Sequence, residues 1–100
     1  GDRKMENLKS GVIDASQEKH VPVVKIENNL VFIEVGSVAH PMNEDHYIEW
    51  IAIETGKGGQ YIRLNPGDEP KAYFALPEGD KVKRAFAYCN LHSLWETKVK

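Results

Sequence analysis

The sequence predicts an all-β protein, folded as an antiparallel β-sandwich of about seven strands. Three observations point there. Short runs rich in Val, Ile, Phe, Tyr and Trp recur along the chain, and these residues fit a pleated, half-buried surface. Clusters of Gly, Pro, Asn and Asp separate the runs, as turns require. No stretch shows the 3.6-residue apolar period of a convincing amphipathic helix.

In chain order, residues 1–17 lack firm periodicity and read as a lead-in or linker, with the folded domain expected over 18–100. Val21 to Ile26 is the first β-rich run. Glu27-Asn28-Asn29 turns the chain, since asparagine tolerates positive φ. Leu30 to Val38 reads as the second strand, interrupted by His40-Pro41 because proline lacks an amide donor. After the polar turn Asn43-Glu44-Asp45, Tyr47 to Thr55 is a strand. Strict alternation puts Ile48, Trp50 and Ala52 on one face and Tyr47, Glu49, Ile51 and Ile53 on the other. Gly56-Lys57-Gly58-Gly59 is a hairpin loop into Gln60 to Leu64, and Asn65 to Pro70 is a strong turn. Lys71 to Leu76, the turn Glu78-Gly79-Asp80, Lys81 to Cys89 and Leu94 to Val99 complete the set.

Composition narrows the functional classes. One hundred residues support a single small core. A hydrophobic share of 41% with 28% charged residues fits the soluble globular class. A net charge of −2 with scattered Lys and Arg argues against nucleic acid as a partner. No apolar run approaches the ~20 residues that span a bilayer, which argues against a membrane protein. Nothing resembles a signal peptide, so a cytoplasmic protein is expected. The single cysteine, Cys89, cannot close an internal disulfide. It is a buried hydrophobe, a reactive thiol or a metal ligand.

Cys89 and His92 flank the last turn, close enough for both to reach one metal ion. His20 precedes the first strand, and His40 and His46 flank the loop between the second and third. Every histidine thus falls at a strand end or in an adjoining loop, where a sandwich gathers distant segments. Imidazole suits zinc, copper, iron and nickel, and thiolate adds a soft donor. Structural zinc is four-coordinate, so five ligands are one too many. A type I copper site uses two His, one Cys and a weak axial Met. No Met follows His92, and two histidines would be left without a role. Five donors leave one open position in an octahedron, which suits a redox-active iron.

Three separated segments carry a resemblance. They are Glu18-Lys19-His20-Val21-Pro22-Val23; Gly36-Ser37-Val38-Ala39-His40-Pro41-Met42 running on to His46-Tyr47-Ile48-Glu49-Trp50-Ile51; and Tyr88-Cys89-Asn90-Leu91-His92 with Leu94-Trp95. Together they resemble the superoxide reductase family, also called desulfoferrodoxins and neelaredoxins, from about Asp14 onward. The resemblance implies an immunoglobulin-like sandwich holding one mononuclear iron, with His20, His40, His46 and His92 as equatorial ligands and Cys89 as the axial one. The implied reaction is one-electron reduction of superoxide to hydrogen peroxide without release of oxygen. Rubredoxin or a similar small protein is the implied electron donor, and a homodimer or tetramer the implied assembly. Lys19 would attract the anion and position a proton donor. The Cys89 thiolate would push electron density onto iron, and the amides of Leu91 and His92 would hydrogen-bond its sulfur. Glu18 resembles the carboxylate that takes the sixth position of the oxidised iron and displaces product.

Other readings are weighed beside this one. A non-catalytic electron-transfer metalloprotein with iron or copper would use the same sandwich, and a binding module would carry its histidines incidentally. Outside this context Glu18 and Lys19 are a solvated pair. Trp50 and Trp95 read as core or site wall, Met42 as packing against the site, and Glu44 and Asp45 as turn carboxylates. Ala39 and Ser93 stand where the family often has proline and glycine. Met5-Glu6-Asn7-Leu8 through Asp14-Ala15 resembles the linker that follows a Cys-rich rubredoxin-like domain in two-iron members. The chain is then either a one-iron protein or the C-terminal part of a longer one.

Overall fold

The structure, a computed structural model, describes residues 19–99. The predicted lead-in 1–17 and Glu18 lie outside the described residues. Seven strands follow one another: β1 (Pro22–Glu27), β2 (Leu30–Val35), β3 (Ile48–Thr55), β4 (Gly58–Arg63), β5 (Lys71–Ala75), β6 (Val82–Cys89) and β7 (Ser93–Lys98). Every strand pairing is antiparallel. The strands form a three-stranded sheet, β1-β2-β5, and a four-stranded sheet, β4-β3-β6-β7. The order is immunoglobulin-like except that the fourth strand pairs with the third and not with the fifth. The short Gly56-Lys57 connection explains this, since it closes a hairpin in which Thr55 and Gly58 are register partners.

The core follows the period of two. β2 turns Val31, Ile33 and Val35 inward, and β5 adds Ala72 and Phe74. Ile51 and Ile53 of β3 and Ala85, Ala87 and Cys89 of β6 complete the same buried cluster. At the sheet edges, the Gln60 side-chain amide donates to the Ala75 carbonyl at 2.9 Å. The Thr97 hydroxyl donates to the Pro22 carbonyl. The two sheets are therefore tied on both sides as well as through the core.

Two expectations are corrected. Ile48 does not share a face with Trp50 and Ala52. It is fully buried alongside Ile51 and Ile53, because the β3–β6 ladder shifts register between Ile48 and Trp50. A bulge of this kind inserts one residue and resets the alternation. Trp50 faces outward and stacks on Tyr88, with ring centroids 5.7 Å apart and planes 7° from parallel. The second strand also ends earlier than Val38, at Val35. Gly36 takes a φ of 87°, open to a residue without Cβ, and the chain turns before His40-Pro41 is reached.

Antiparallel pairing decides which segments meet. The start of β1 lies beside the end of β2. The start of β3 and the start of β7 both lie beside the end of β6. One end of the sandwich therefore gathers the residues before β1, the β2–β3 connection and the β6–β7 turn, which carry all four histidines and the cysteine.

Candidate metal centre

Each ligand candidate reaches this end by a local device. β6 delivers Cys89 inward two positions beyond Ala87, and the side chain has no exposed surface. Asn90, Leu91 and His92 form the turn, and Cys89 and Ser93 are register partners across it. Ser93, the first residue of β7, sits at a φ of 65°, in the left-handed region that favours glycine. An L-residue there is strained by about 1–2 kcal/mol. Ser93→Gly is accordingly expected to raise stability by about 1 kcal/mol, seen as a higher urea midpoint with unchanged slope. An unchanged or lower midpoint would mean that contacts of the serine outweigh its backbone strain.

His40 is brought in where its amide donates to the Val35 carbonyl at 3.2 Å, closing the turn after β2. His46 is set by a β-bridge with Asn43, in which each amide donates to the other's carbonyl, at 3.0 and 3.1 Å. Glu44 and Asp45 are the exposed turn between them, as expected. Met42 is partly buried against the core, and its sulfur lies 3.4 Å from the Ile48 amide that donates to it. His20 is buried, with its ring stacked on Trp95 at 4.8 Å and 19°. The Trp95 indole N–H in turn donates to the His92 carbonyl at 3.0 Å. Trp95 is thus a site wall, touching one histidine and bonding the backbone of another.

The four imidazoles close into a ring. His20 meets His40 at 4.5 Å and 73°, His40 meets His46 at 4.7 Å and 78°, His46 meets His92 at 5.1 Å and 65°, and His92 meets His20 at 4.7 Å and 73°. The His20–His46 diagonal is 6.2 Å. Four rings with near-perpendicular neighbours around a near-square outline aim their edges at a common centre. The Cys89 sulfur lies 3.7 Å from Nδ1 of His92. Ligand atoms of His20, His40, His46 and Cys89 all lie within 4.8 Å of one another. Two donors that share one ion at about 2.1–2.3 Å stand no more than roughly 4.4 Å apart. Movements of a few tenths of an ångström therefore suffice to bind one ion.

The hydrogen bonding supports the same assignment. Nδ1 of His40 donates to the Pro41 carbonyl at 2.6 Å, which fixes the tautomer and leaves the lone pair on Nε2. That Nε2, and the Nε2 of His46, are buried without a hydrogen-bond partner. The Nε2 of His20 is likewise buried. Orphaned buried acceptors are costly, and a metal ion relieves them. The residues present therefore fit a His/Cys-bound metal.

Burial, followed by the charges of its histidine neighbours, holds the pKa of His40 down at about 4 from 6.5, against an opposing contribution from the Pro41 hydrogen bond. His46 is also lowered, by burial, then by His92 and by Lys19. Both rings are thus neutral at pH 7, as ligation requires. In the metal-free protein the unfolded chain takes up these protons first. Stability is therefore complete above the unfolded value of 6.5 and is lost as pH falls from there to about 4. His40 alone accounts for a loss of roughly 3 kcal/mol. Urea denaturation of the metal-free protein across that window measures it. A flat profile would show that His40 is not held neutral.

Lys19 is exposed and immediately precedes His20, and its charge contributes, after burial and His92, to lowering the His46 pKa. Sequence reasoning named all five clustered residues and Lys19. It left Asn90 without a role, although Asn90 occupies the turn between Cys89 and His92 and joins two loops, as described below.

The fold and this cluster define a two-sheet antiparallel sandwich with a His/Cys group able to hold a metal ion. The Desulfoferrodoxin family profile matches residues 12–98, and the chain belongs to that family. It is 48% identical over 93 residues to the desulfoferrodoxin homolog of Archaeoglobus fulgidus, covering 93% of this chain and 73% of that one. It is 37% identical, over an alignment of 111 positions, to the superoxide reductase of Pyrococcus horikoshii, covering 94% and 95%. Among solved structures, the superoxide reductase from Treponema pallidum superposes with a TM-score of 0.81 at 46% identity, covering 87% of this chain and 71% of that one. Among the described residues, no helix is long and apolar enough to cross a membrane.

Proposed function

We propose that the chain is a superoxide reductase, taking superoxide, one electron and two protons to hydrogen peroxide. The observation that carries this reading is the closed ring of four near-perpendicular imidazoles beside a fully buried thiol. In this reading His20, His40 and His46 hold one iron through Nε2, His92 through Nδ1 and Cys89 through its sulfur. Iron bound there would supply the electron by passing between Fe(II) and Fe(III). Cys89 contributes a full negative charge and soft electron density from the buried side of the ring. The four imidazoles would hold the ion beside Cys89, where it would attract a small anion. Lys19, next to His20 in the chain, draws superoxide towards that ion and orders the solvent that provides the protons. Glu18 is assigned to displacing product from the oxidised centre.

Rubredoxin or a similar small redox protein is the proposed donor, a homodimer or tetramer the proposed assembly, and the cytoplasm the proposed setting. Residues 18–100 are taken as the iron-binding domain and 1–17 as its lead-in.

The test uses protein loaded anaerobically with Fe(II) and mixed with less than one equivalent of superoxide per iron, so that Fe(II) supplies each electron. One peroxide per superoxide, without evolved oxygen, supports the reading. Peroxide at half that yield with matching oxygen would indicate dismutation. Protein that exchanges electrons with a donor but leaves superoxide untouched would be an electron carrier.

A further inference from the structure

Two segments, far apart in sequence, supply His46 and Cys89. The backbone Asn90 N–H donates to the Tyr47 carbonyl at 3.2 Å, extending the β3–β6 ladder by one bond. The Asn90 side chain adds a second, more specific connection. Its Oδ1 accepts from the Tyr47 amide at 2.9 Å, and its Nδ2 donates to the Asp45 carbonyl at 3.0 Å. These partners are the residues immediately before and after His46. One carboxamide therefore brackets His46 on both sides while its own backbone continues directly from Cys89. The amide orientation is fixed by the pair of bonds, since exchanging oxygen and nitrogen would set donor against donor and acceptor against acceptor. The same Oδ1 accepts from the Cys89 thiol at 4.0 Å, so the carboxamide also touches the sulfur directly.

We propose that Asn90 is a positioning residue that fixes the His46–Cys89 separation and thereby sets metal affinity and thiolate donation. The inference rests on the ligand reading given above. The bonds to Asp45 and Tyr47 involve no ligand atom. A merely structural role would destabilise metal-free and metal-bound protein alike, leaving the affinity of the folded protein for metal unchanged. A positioning role changes that affinity itself, because the site must be reassembled on binding.

Cobalt(II) titration of the metal-free chain separates the two, with the near-ultraviolet thiolate-to-Co(II) band as a second readout. Asn90→Ala is expected to weaken Co(II) binding by about 10- to 100-fold, the usual range for partners that orient ligands, and to diminish or shift the band. Asn90→Asp keeps an acceptor for Tyr47 but opposes the Asp45 carbonyl, and it places a carboxylate beside the sulfur. It should also weaken binding and move the band. Gln60→Ala removes the edge bond to the Ala75 carbonyl at 2.9 Å, towards the other end of the sandwich from the ligands. It should lower stability without altering Co(II) affinity. Binding by Asn90→Ala within about twofold of wild type, with the band unmoved, overturns the proposal, since positioning partners have larger effects. If Asn90→Ala does not fold, Asn90→Asp decides by the same criteria. A wild-type protein that binds Co(II) with no thiolate band overturns the ligand reading itself, and this inference with it.

Discussion

Cys89→Ser is expected to abolish both the visible colour of the oxidised iron protein and its reaction with superoxide. Oxidised wild type should turn blue or green through thiolate-to-Fe(III) charge transfer, and the variant should remain without that band. The reason lies in burial as much as in chemistry. Cys89 has no exposed surface, so bulk solvent does not reach the sulfur to replace it. Serine presents a neutral, hard hydroxyl that stays protonated where cysteine offers a soft anion. Replacing a partner that only orients a ligand costs about 10- to 100-fold in metal affinity or activity. Loss of the only anionic ligand of the five should exceed that, so a fall in superoxide reduction of at least ~10²-fold is expected. Histidines His20, His40, His46 and His92 remain, so iron content should drop less than activity. The measurement is an absorption spectrum before and after a mild oxidant, with iron content determined on the same sample. A band of wild-type intensity in Cys89→Ser would remove the thiolate from the site and the proposed chemistry with it.

The sequence was most legible where local rules suffice. All seven strands were foreseen, because each turn carries its own chemistry: Asn28 does take a positive φ, at 55°. The residues of the metal centre were legible for a related reason. Histidine and cysteine are scarce here, and each lies at a strand end, so few arrangements could use them. The errors arise where the outcome depends on pairing between distant strands. The face of Ile48 is decided by a bulge against Cys89, and no pattern within β3 announces it. The end of β2 was misplaced because Val38 looks strand-like, whereas Gly36 had already turned the chain. Asn90 shows the limit most clearly. Its turn propensity is visible in the sequence, but its partners lie 43 and 45 residues away, and only the β3–β6 register brings them together. From the sequence Ser93 is only a serine where the family often has glycine, and the structure supplies the reason, a φ of 65°.

Charge reversal at Lys19 should produce the second large effect, on the rate of superoxide capture. The chain as a whole carries a net charge of −2, which repels an anion, so any attraction must come from the local field. A divalent ion with one thiolate and neutral imidazoles retains one positive charge, and Lys19 adds another. Lys19 is the residue next to His20, and after burial and His92 its charge contributes to lowering the His46 pKa. Lys19→Glu changes the local charge by two units and should slow capture on the order of 10²-fold at low ionic strength, within the range of electrostatic steering. Lys19→Ala should fall between. Salt supplies the internal check: the Debye length shrinks from about 10 Å at 0.1 M to about 3 Å at 1 M. The wild-type rate should therefore fall with added salt, the Lys19→Glu rate should rise, and the two should converge. Single-turnover kinetics on pre-reduced protein isolate this step from the donor, so a change in donor docking cannot imitate it. Because Lys19 touches no ligand atom in this scheme, the charge-transfer band of the oxidised protein should be preserved in both variants. Equal rates for wild type and Lys19→Glu at low salt would mean that superoxide is drawn by the metal centre alone, and Lys19 would lose its proposed role.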